Sequence, residues 1–256
     1  NVKVYWNEIP FTDPGGNTYL NQLGFQNIHS IEIIKGPAGS LYGAGTGGAV
    51  LLKSVSESWK PGVSFGYSGG SYSTYNINAS AQFGKNDFQN TIQYVQQKSD
   101  GYREQSNMDR KVISYETSIK ASENDELKML FLYGDLYYQT PGGLNKAQYE
   151  LNEKSARPAA GIFPGAVEAR AAIYQKTFLA GINNTYRLSG NLQHIISLYG
   201  AFSQIKNPTI RNYERRNEPH FGGRTLLRFH PKFNESKLNF VIGGELQKGF
   251  SNIKIY

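Results

Sequence analysis

Apolar and polar residues alternate one by one along most of this 256-residue chain. Ile77, Ala79, Ala81 and Phe83 alternate with Asn76, Asn78, Ser80 and Gln82, and Ile113, Tyr115, Thr117 and Ile119 with Ser114, Glu116, Ser118 and Lys120. Leu238, Phe240, Ile242, Gly244 and Leu246 alternate in the same way with Asn239, Val241, Gly243, Glu245 and Gln247. Strands send successive side chains to opposite faces, whereas a helix would scatter each set around its circumference. The pattern predicts nine strands, at 62–69, 73–84, 88–98, 111–121, 127–138, 175–188, 191–205, 222–232 and 237–249. Each is about ten residues long, enough to cross a hydrocarbon layer at the tilt of a barrel.

The links between these strands alternate too. Those at 84–87, 123–126, 188–191 and 233–237 are short and turn-like, and those at 99–110, 139–174 and 206–222 are long and polar. The link at 69–73 is a short exception. Membrane barrels close one end with turns and the other with loops, whereas Greek-key crossovers scramble such alternation in a sandwich.

Residues 1–56 read differently. Val2–Trp6 is a strand, 10–17 a turn-rich loop, 18–23 a short helix, and 28–35 and 49–53 further strands. Gly36-Pro37 ends the strand over 28–35, because proline brings no N–H to a ladder and fixes φ. A glycine-dense tract follows, with Gly43, Gly45, Gly47 and Gly48. A dinucleotide fingerprint would need a helix directly after those glycines, and a P-loop would need Gly-Lys followed by Ser or Thr. Ala49-Val50-Leu51-Leu52 reads as a strand and no such Gly-Lys occurs, so both nucleotide readings fail.

The stretch from Ile31 to Leu52, IEIIKGPAGSLYGAGTGGAVLL, resembles the plug-domain signature of TonB-dependent outer-membrane receptors, a string of the form (I/V)E(I/V)(I/L)(K/R)GP…YG…GG(A/V)(I/V). Tyr5-Trp6-Asn7-Glu8-Ile9-Pro10, with Asp13 and Leu20, fits the family's approach to that motif. The resemblance implies a mainly all-β chain. The C-terminal half of a plug, residues 1–57, would be followed by the first nine or so strands, residues 58–256, of a 22-stranded antiparallel transmembrane β-barrel. The first half of the plug, with the box that docks TonB, would lie outside this internal fragment, which expressed alone should expose strand edges and aggregate. It also implies import of an iron chelate, a ferric siderophore or ferric citrate, across the bacterial outer membrane by plug rearrangement. The implied partners are the TonB–ExbB–ExbD complex, the ferric chelate, and outer-membrane lipid and lipopolysaccharide. Cobalamin or oligosaccharide cargo, or a surface adhesin or glycan-binding β-domain, are the alternatives.

Composition bears on this in a few places. Mean hydropathy is −0.51, which does not exclude a barrel, because its strands carry polar lumen-facing residues at every second position. The 18 Tyr and 14 Phe suit strands and aromatic girdles. With no cysteine, disulfides and thiolate metal sites are unavailable. His29, His194, His220 and His230 show no ligand spacing, so no cofactor and no protein-held metal are expected, and iron would enter only as cargo. The net charge of +7 is spread without a basic run of five, which argues against nucleic acid. No serine elbow or HExxH motif is present, and an enzyme is not expected.

Recognition then falls to the loops. Gln139-Thr140-Pro141-Gly142-Gly143-Leu144 resembles a TPGGL string of iron-chelate receptors, but it also reads as a Pro-Gly type II turn. Arg211, Arg215, Arg216, Arg224 and Arg228 cluster in one stretch, and guanidinium forks suit the carboxylates of an anionic chelate. Pleating sends Arg224 and Arg228 into the lumen, where salt bridges to the plug are the competing role. The candidate ligand contacts are Gln139, Thr140, Arg170, Arg211, Tyr213, Arg215, Arg216 and Arg224. By resemblance, Lys35, Gly36, Pro37, Tyr42, Gly43, Gly47 and Gly48 are plug-structural, with Lys35 pairing to a barrel carboxylate beyond Tyr256 or, as alternatives inside this chain, to lumen-facing Glu116 or Glu245.

Overall fold

The computed structural model describes residues 2–24, 28–36, 39–42, 46–54, 59–233 and 236–256. Two sheets dominate. The first joins β1 (Val2–Trp6), β2 (Ile9–Pro10), β3 (Ser30–Lys35) and β4 (Gly48–Lys53) in the order β2-β1-β4-β3. β1 and β4 run parallel, while β3 and β4 are antiparallel. Between β3 and β4 lies the short helix α1 (Gly39–Tyr42), and Leu20–Gln22 forms a single 3-10 turn inside the stretch read as helical. Gly48 has φ +115, and a Cβ there would collide with the Ile34 carbonyl, so the β3–β4 approach requires glycine. Gly36 ends β3 at φ +80. Pro37 and Gly43 lie outside the described residues, as do 55–58, where the plug–barrel boundary was placed.

The second sheet is an antiparallel meander. It runs through β5 (Gly62–Gly69), β6 (Tyr75–Lys85), β7 (Phe88–Ser99), β8 (Met108–Ser122), β9 (Asp125–Gln139), β10 (Ala172–Ser189), β11 (Leu192–Pro208) and β12 (Tyr213–Phe229). A small hairpin, β13 (Lys232–Phe233) and β14 (Ser236–Lys237), precedes β15 (Phe240–Gly249) and β16 (Asn252–Ile255). Both of the last two strands pair with β12. Nine long strands therefore form one wall, with β5 and β15 at its edges.

Two of the long polar links are shorter than their hydropathy implies. β7 and β8 leave only 100–107 between them, and β11 and β12 leave only 209–212. The expected loop over 206–222 is mostly strand, paired without a break from Tyr213 opposite Pro208 to Phe229 opposite Leu192. β10 has 18 residues, and such a strand at about 3.3 Å per residue and a tilt near 45° rises about 40 Å against about 30 Å of hydrocarbon. A strand longer than such a layer needs no apolar face over its excess length, so its alternation fades there while its backbone ladder continues. Gln204 Nε2 to Asn217 Oδ1 (3.2 Å) is a cross-strand bond of that kind. The link over 140–171 remains long, and carries α2 (Lys146–Leu151) and a small core of Ala156, Ala166 and Ala171.

The wall's outer face is apolar and exposed, with Ile113, Phe131, Phe178, Ile182, Leu198, Leu227 and Phe229 along it. Phe131 and Phe178 meet edge-on at 4.9 Å. The inner face receives the first sheet. Val4, Trp6, Ile9, Phe11, Leu23 and Leu52 pack there with Val95, Val112, Leu130, Leu132, Leu179 and Tyr199 of the wall in one buried cluster. Wall glycines make room for it: a Cβ on Gly181 would come within 2.6 Å of Ile9, and one on Gly134 would strike Gln22. Among the described residues no helix is long and apolar enough to cross a membrane.

Candidate functional site

The charged groups between sheet and wall form two layers. In the deeper one, the β1–β2 turn places Glu8 against β12. Arg224 Nη1 donates to Glu8 Oε2 (3.0 Å), Arg224 Nη2 to the Leu41 carbonyl (2.8 Å), and Arg228 Nη2 to Glu8 Oε1 (2.9 Å). Glu245 of β15 lies 3.8 Å from Arg224 Nε and accepts from the Tyr5 hydroxyl at 3.0 Å. The Arg224 side chain is only 3% exposed. Its guanidinium stands 4.8 Å from the Tyr5 ring centroid and 5.1 Å from that of Tyr42. Burial and the Glu245 carboxylate raise the Tyr5 phenol well above its ordinary value. A charge this deep is tolerable only when paired and hydrogen-bonded, and Arg224 is both.

Across the lumen, Asn7 adopts φ 49 in the same turn. Its amide donates to Ser54 Oγ (2.7 Å) and Glu116 Oε2 (2.9 Å), and its carbonyl accepts from the Ser54 N–H (3.2 Å). Ser54 Oγ also donates to Glu116. Glu116 and Glu245, the alternatives inside this chain for pairing with Lys35, are therefore engaged by other groups. Lys35 is exposed at the end of β3, and no described carboxylate forms an ion pair with it. The plug is also tied to the wall by a carboxylate of its own, Glu8, reaching guanidinium groups on β12.

The outer layer lies at the loop end. Asp13 caps the 13–17 turn by accepting from Asn17 N (2.8 Å) and Nδ2 (3.1 Å). The Tyr19 hydroxyl donates to Glu218 Oε2 at 2.8 Å, and burial with that carboxylate raises its phenol. Arg216 Nε donates to Glu214 Oε1 at 2.7 Å. Asp13, Asn17, Arg216, Glu218, His220 and Phe250 border an open recess of roughly 430 Å³ between the plug turn and the upper ends of β12 and β15. Among the described residues no group of three or more His, Asp or Glu is arranged to hold a metal ion.

The expected ligand contacts separate into three groups. Arg216 borders the recess, and Arg170 and Arg211 are exposed at the loop end, Arg211 lying over the Phe163 ring at 5.4 Å. Gln139 and Thr140 close the base of the 140–171 loop: the Gln139 side chain accepts from Asn107 N (3.1 Å), and Thr140 N donates to the Ala171 carbonyl (2.9 Å). Gly142 has φ +72, as the Pro-Gly turn requires. Tyr213 and Arg215 fall on the outward register of β12, where Arg215 Nε donates to the Tyr213 hydroxyl at 2.9 Å. Arg224 lies away from the recess, in the contact with Glu8 and the Leu41 carbonyl. Among the plug-structural residues, Tyr42 is buried against Tyr5 at 5.2 Å between ring centroids, and Gly47 lies in an exposed turn. Glu8 and Asp13 belong to the stretch that resembles the family's approach to the plug motif, but nothing in the sequence marks them, or Tyr19 and Glu218, as contacts between plug and wall.

Residues 1–50 match the family of the TonB-dependent receptor plug domain. The whole chain superimposes on the ferric citrate transporter FecA in its unliganded form, with a TM-score of 0.79 at 17% identity, covering 99% of this chain and 39% of that one. BauA, the ferric preacinetobactin receptor from Acinetobacter baumannii, is similar with a TM-score of 0.76 at 14% identity, covering 99% and 40%. The copper transporter OprC is similar with a TM-score of 0.71 at 14% identity, covering 98% and 38%. The chain thus spans about two fifths of the length of these receptors, and it has their fold: plug sheet plus part of the barrel.

Proposed function

We propose that this chain is the plug-and-wall portion of a TonB-dependent outer-membrane receptor that imports an iron chelate, a ferric siderophore or ferric citrate. The observation that carries the reading is the plug itself, a sheet that fills the concave face of an antiparallel wall whose convex face is apolar. A wall of this kind suits lipid outside and a gated lumen inside. The recess at the loop end suits capture, since it combines Asp13, Asn17, Glu218 and His220 with Arg216 beneath loops that carry Arg170 and Arg211. With Arg224 and Arg228 committed to Glu8, fewer guanidinium groups are left to hold an anionic chelate than the sequence suggests. Recognition in this portion rests on mixed hydrogen-bonding groups and three arginines. Iron enters as cargo. TonB with ExbB and ExbD supplies the work that moves the plug, and lipid with lipopolysaccharide surrounds the wall.

The test follows accumulation of labelled iron, supplied as ferric citrate or as a ferric hydroxamate, in iron-starved cells with and without functional TonB. Labelled cobalamin serves as the alternative cargo. TonB-dependent iron accumulation is the expected result. Entry of cobalamin alone would replace the cargo, and no entry of any probe would overturn the transport reading.

A further inference from the structure

The outer face of the wall carries cations in two arrangements. On β8–β10 they stand beside carboxylates: Lys111 Nζ lies 3.4 Å from Asp109, and Lys176 Nζ lies 3.6 Å from Asp135. Across β11, β12 and β16 the pattern differs. Lys206 is register partner to Arg215, and Arg215 to Lys254, so three exposed cations stand side by side on adjacent strands. Among the described residues none of the three forms an ion pair. Toward the turn end their outward neighbours are the amides Gln204, Asn217 and Asn252. Toward the loop end stand Tyr213 and Tyr256, stacked at 6.0 Å between ring centroids. Like charges directly opposite one another destabilise a sheet. The row therefore works against the fold unless an anion from outside the chain neutralises it.

Chemistry and position select that anion. Arg215 Nε is held by the Tyr213 hydroxyl at 2.9 Å, which leaves both Nη groups of the fork to a ligand. A guanidinium fork flanked by two mobile ammonium groups suits phosphate oxygens, and three strands at about 4.8 Å spacing set the row about 10 Å wide. Lys206 alternates with buried Ile205, so these side chains leave the sheet away from the plug and away from the recess. The same row continues over β10 and β9 as Tyr174 and Tyr137, 4.8 Å apart, and tyrosine belts mark the headgroup level of a bilayer. Lys206 is four residues beyond Phe202, the last large apolar side chain on the outward register of β11. At about 3.3 Å per residue and a tilt near 45°, that is about 9 Å, against a headgroup layer of about 5–8 Å. A lysine stem bends back over such a gap. We infer that the Lys206–Arg215–Lys254 row binds the phosphates of lipopolysaccharide on the outside of the wall, separately from cargo. This rests on the membrane reading above.

The experiment uses the intact receptor, purified in a neutral detergent and titrated with bisphosphorylated lipid A, its dephosphorylated form, and inorganic phosphate. Native mass spectrometry counts the bound lipid. The expected result is that the parent retains bisphosphorylated lipid A and not the dephosphorylated form, and that millimolar inorganic phosphate does not displace it. The triple variant Lys206→Gln, Arg215→Gln, Lys254→Gln should bind at least tenfold more weakly, with Arg215→Lys between the two. Lys111→Gln with Lys176→Gln, on the same face but beside carboxylates, should bind like the parent. Heat-modifiable migration reports assembly, and Lys206→Gln with Lys254→Gln serves if the triple variant does not assemble. Binding by the triple variant equal to the parent's overturns the inference, as does equal loss in the Lys111 and Lys176 control. Displacement by inorganic phosphate overturns the lipid as the source of the anion. If the parent is recovered from cells without detergent, the membrane reading itself fails, a result distinct from all of these.

Discussion

Arg224 is the place where one substitution should unlock the plug. Among the described residues it is the one guanidinium group that touches Glu8, the Leu41 carbonyl, Glu245 and the faces of Tyr5 and Tyr42 together. Arg224→Met keeps the aliphatic stem and removes the charge. Stranding one member of a buried ion pair costs about 3–5 kcal/mol. Glu8 retains Arg228 and is 29% exposed, which favours the lower end, about 3 kcal/mol. At 1.4 kcal/mol per decade, that raises the open-plug population about a hundredfold. Hydrogen exchange in the intact receptor reads this directly. Amides of β1 and β4, such as Val4 and Leu51, should exchange about a hundredfold faster, with β9–β11 unchanged. Arg224→Lys keeps the charge but not the fork, and should fall between the two. Unchanged β1 and β4 exchange in Arg224→Met would refute the argument, because the contacts would then hold nothing. Acceleration spread equally through β9–β11 would refute it as well, by showing that the wall and not the plug depends on them.

Further expectations follow from single contacts. Asn7→Ala removes three hydrogen bonds and places alanine at φ 49; a loss of about 2–3 kcal/mol should appear as faster exchange at the β1–β2 turn. Gly181→Val drives a branched side chain into Ile9, so overpacking of about 1–3 kcal/mol should make the plug more protease-sensitive while the barrel still assembles. Ile182→Arg puts a charge on the outward face, where about 2–4 kcal/mol at mid-membrane should lower the yield of heat-modifiable receptor. Tyr5 and Tyr19 have phenols raised above the ordinary value of 10.0. The unfolded plug therefore releases those protons first, and the plug stability they confer, intact below about pH 10, should decline as pH rises beyond it. Exchange of plug amides between pH 9 and 11, corrected for intrinsic rates, measures that decline.

Local pattern alone determined the strands and the plug motif, because each depends on neighbours in the chain. Alternation at 76–83 or 238–247 needs only the two-residue pleat to become a strand with an apolar face, and glycine at 36 and 48 answers to backbone geometry within a few residues. The pattern failed where the strands lose their apolar outer face. Tyr213–Glu218 has no apolar face to reveal it, and pairing with 203–208 on one side and 252–255 on the other makes it a strand. The partners of the charged groups were decided by tertiary structure. Glu8 and Arg224 are 216 residues apart and Tyr5 and Glu245 are 240 apart, and no spacing rule joins groups that meet only when a plug turn docks inside a wall. The same docking set Arg224 against Glu8, turned Arg215 and Tyr213 outward, and engaged Glu116 and Glu245 with other groups. Burial selects partners by position in space, and the chain's linear pattern carries no record of it.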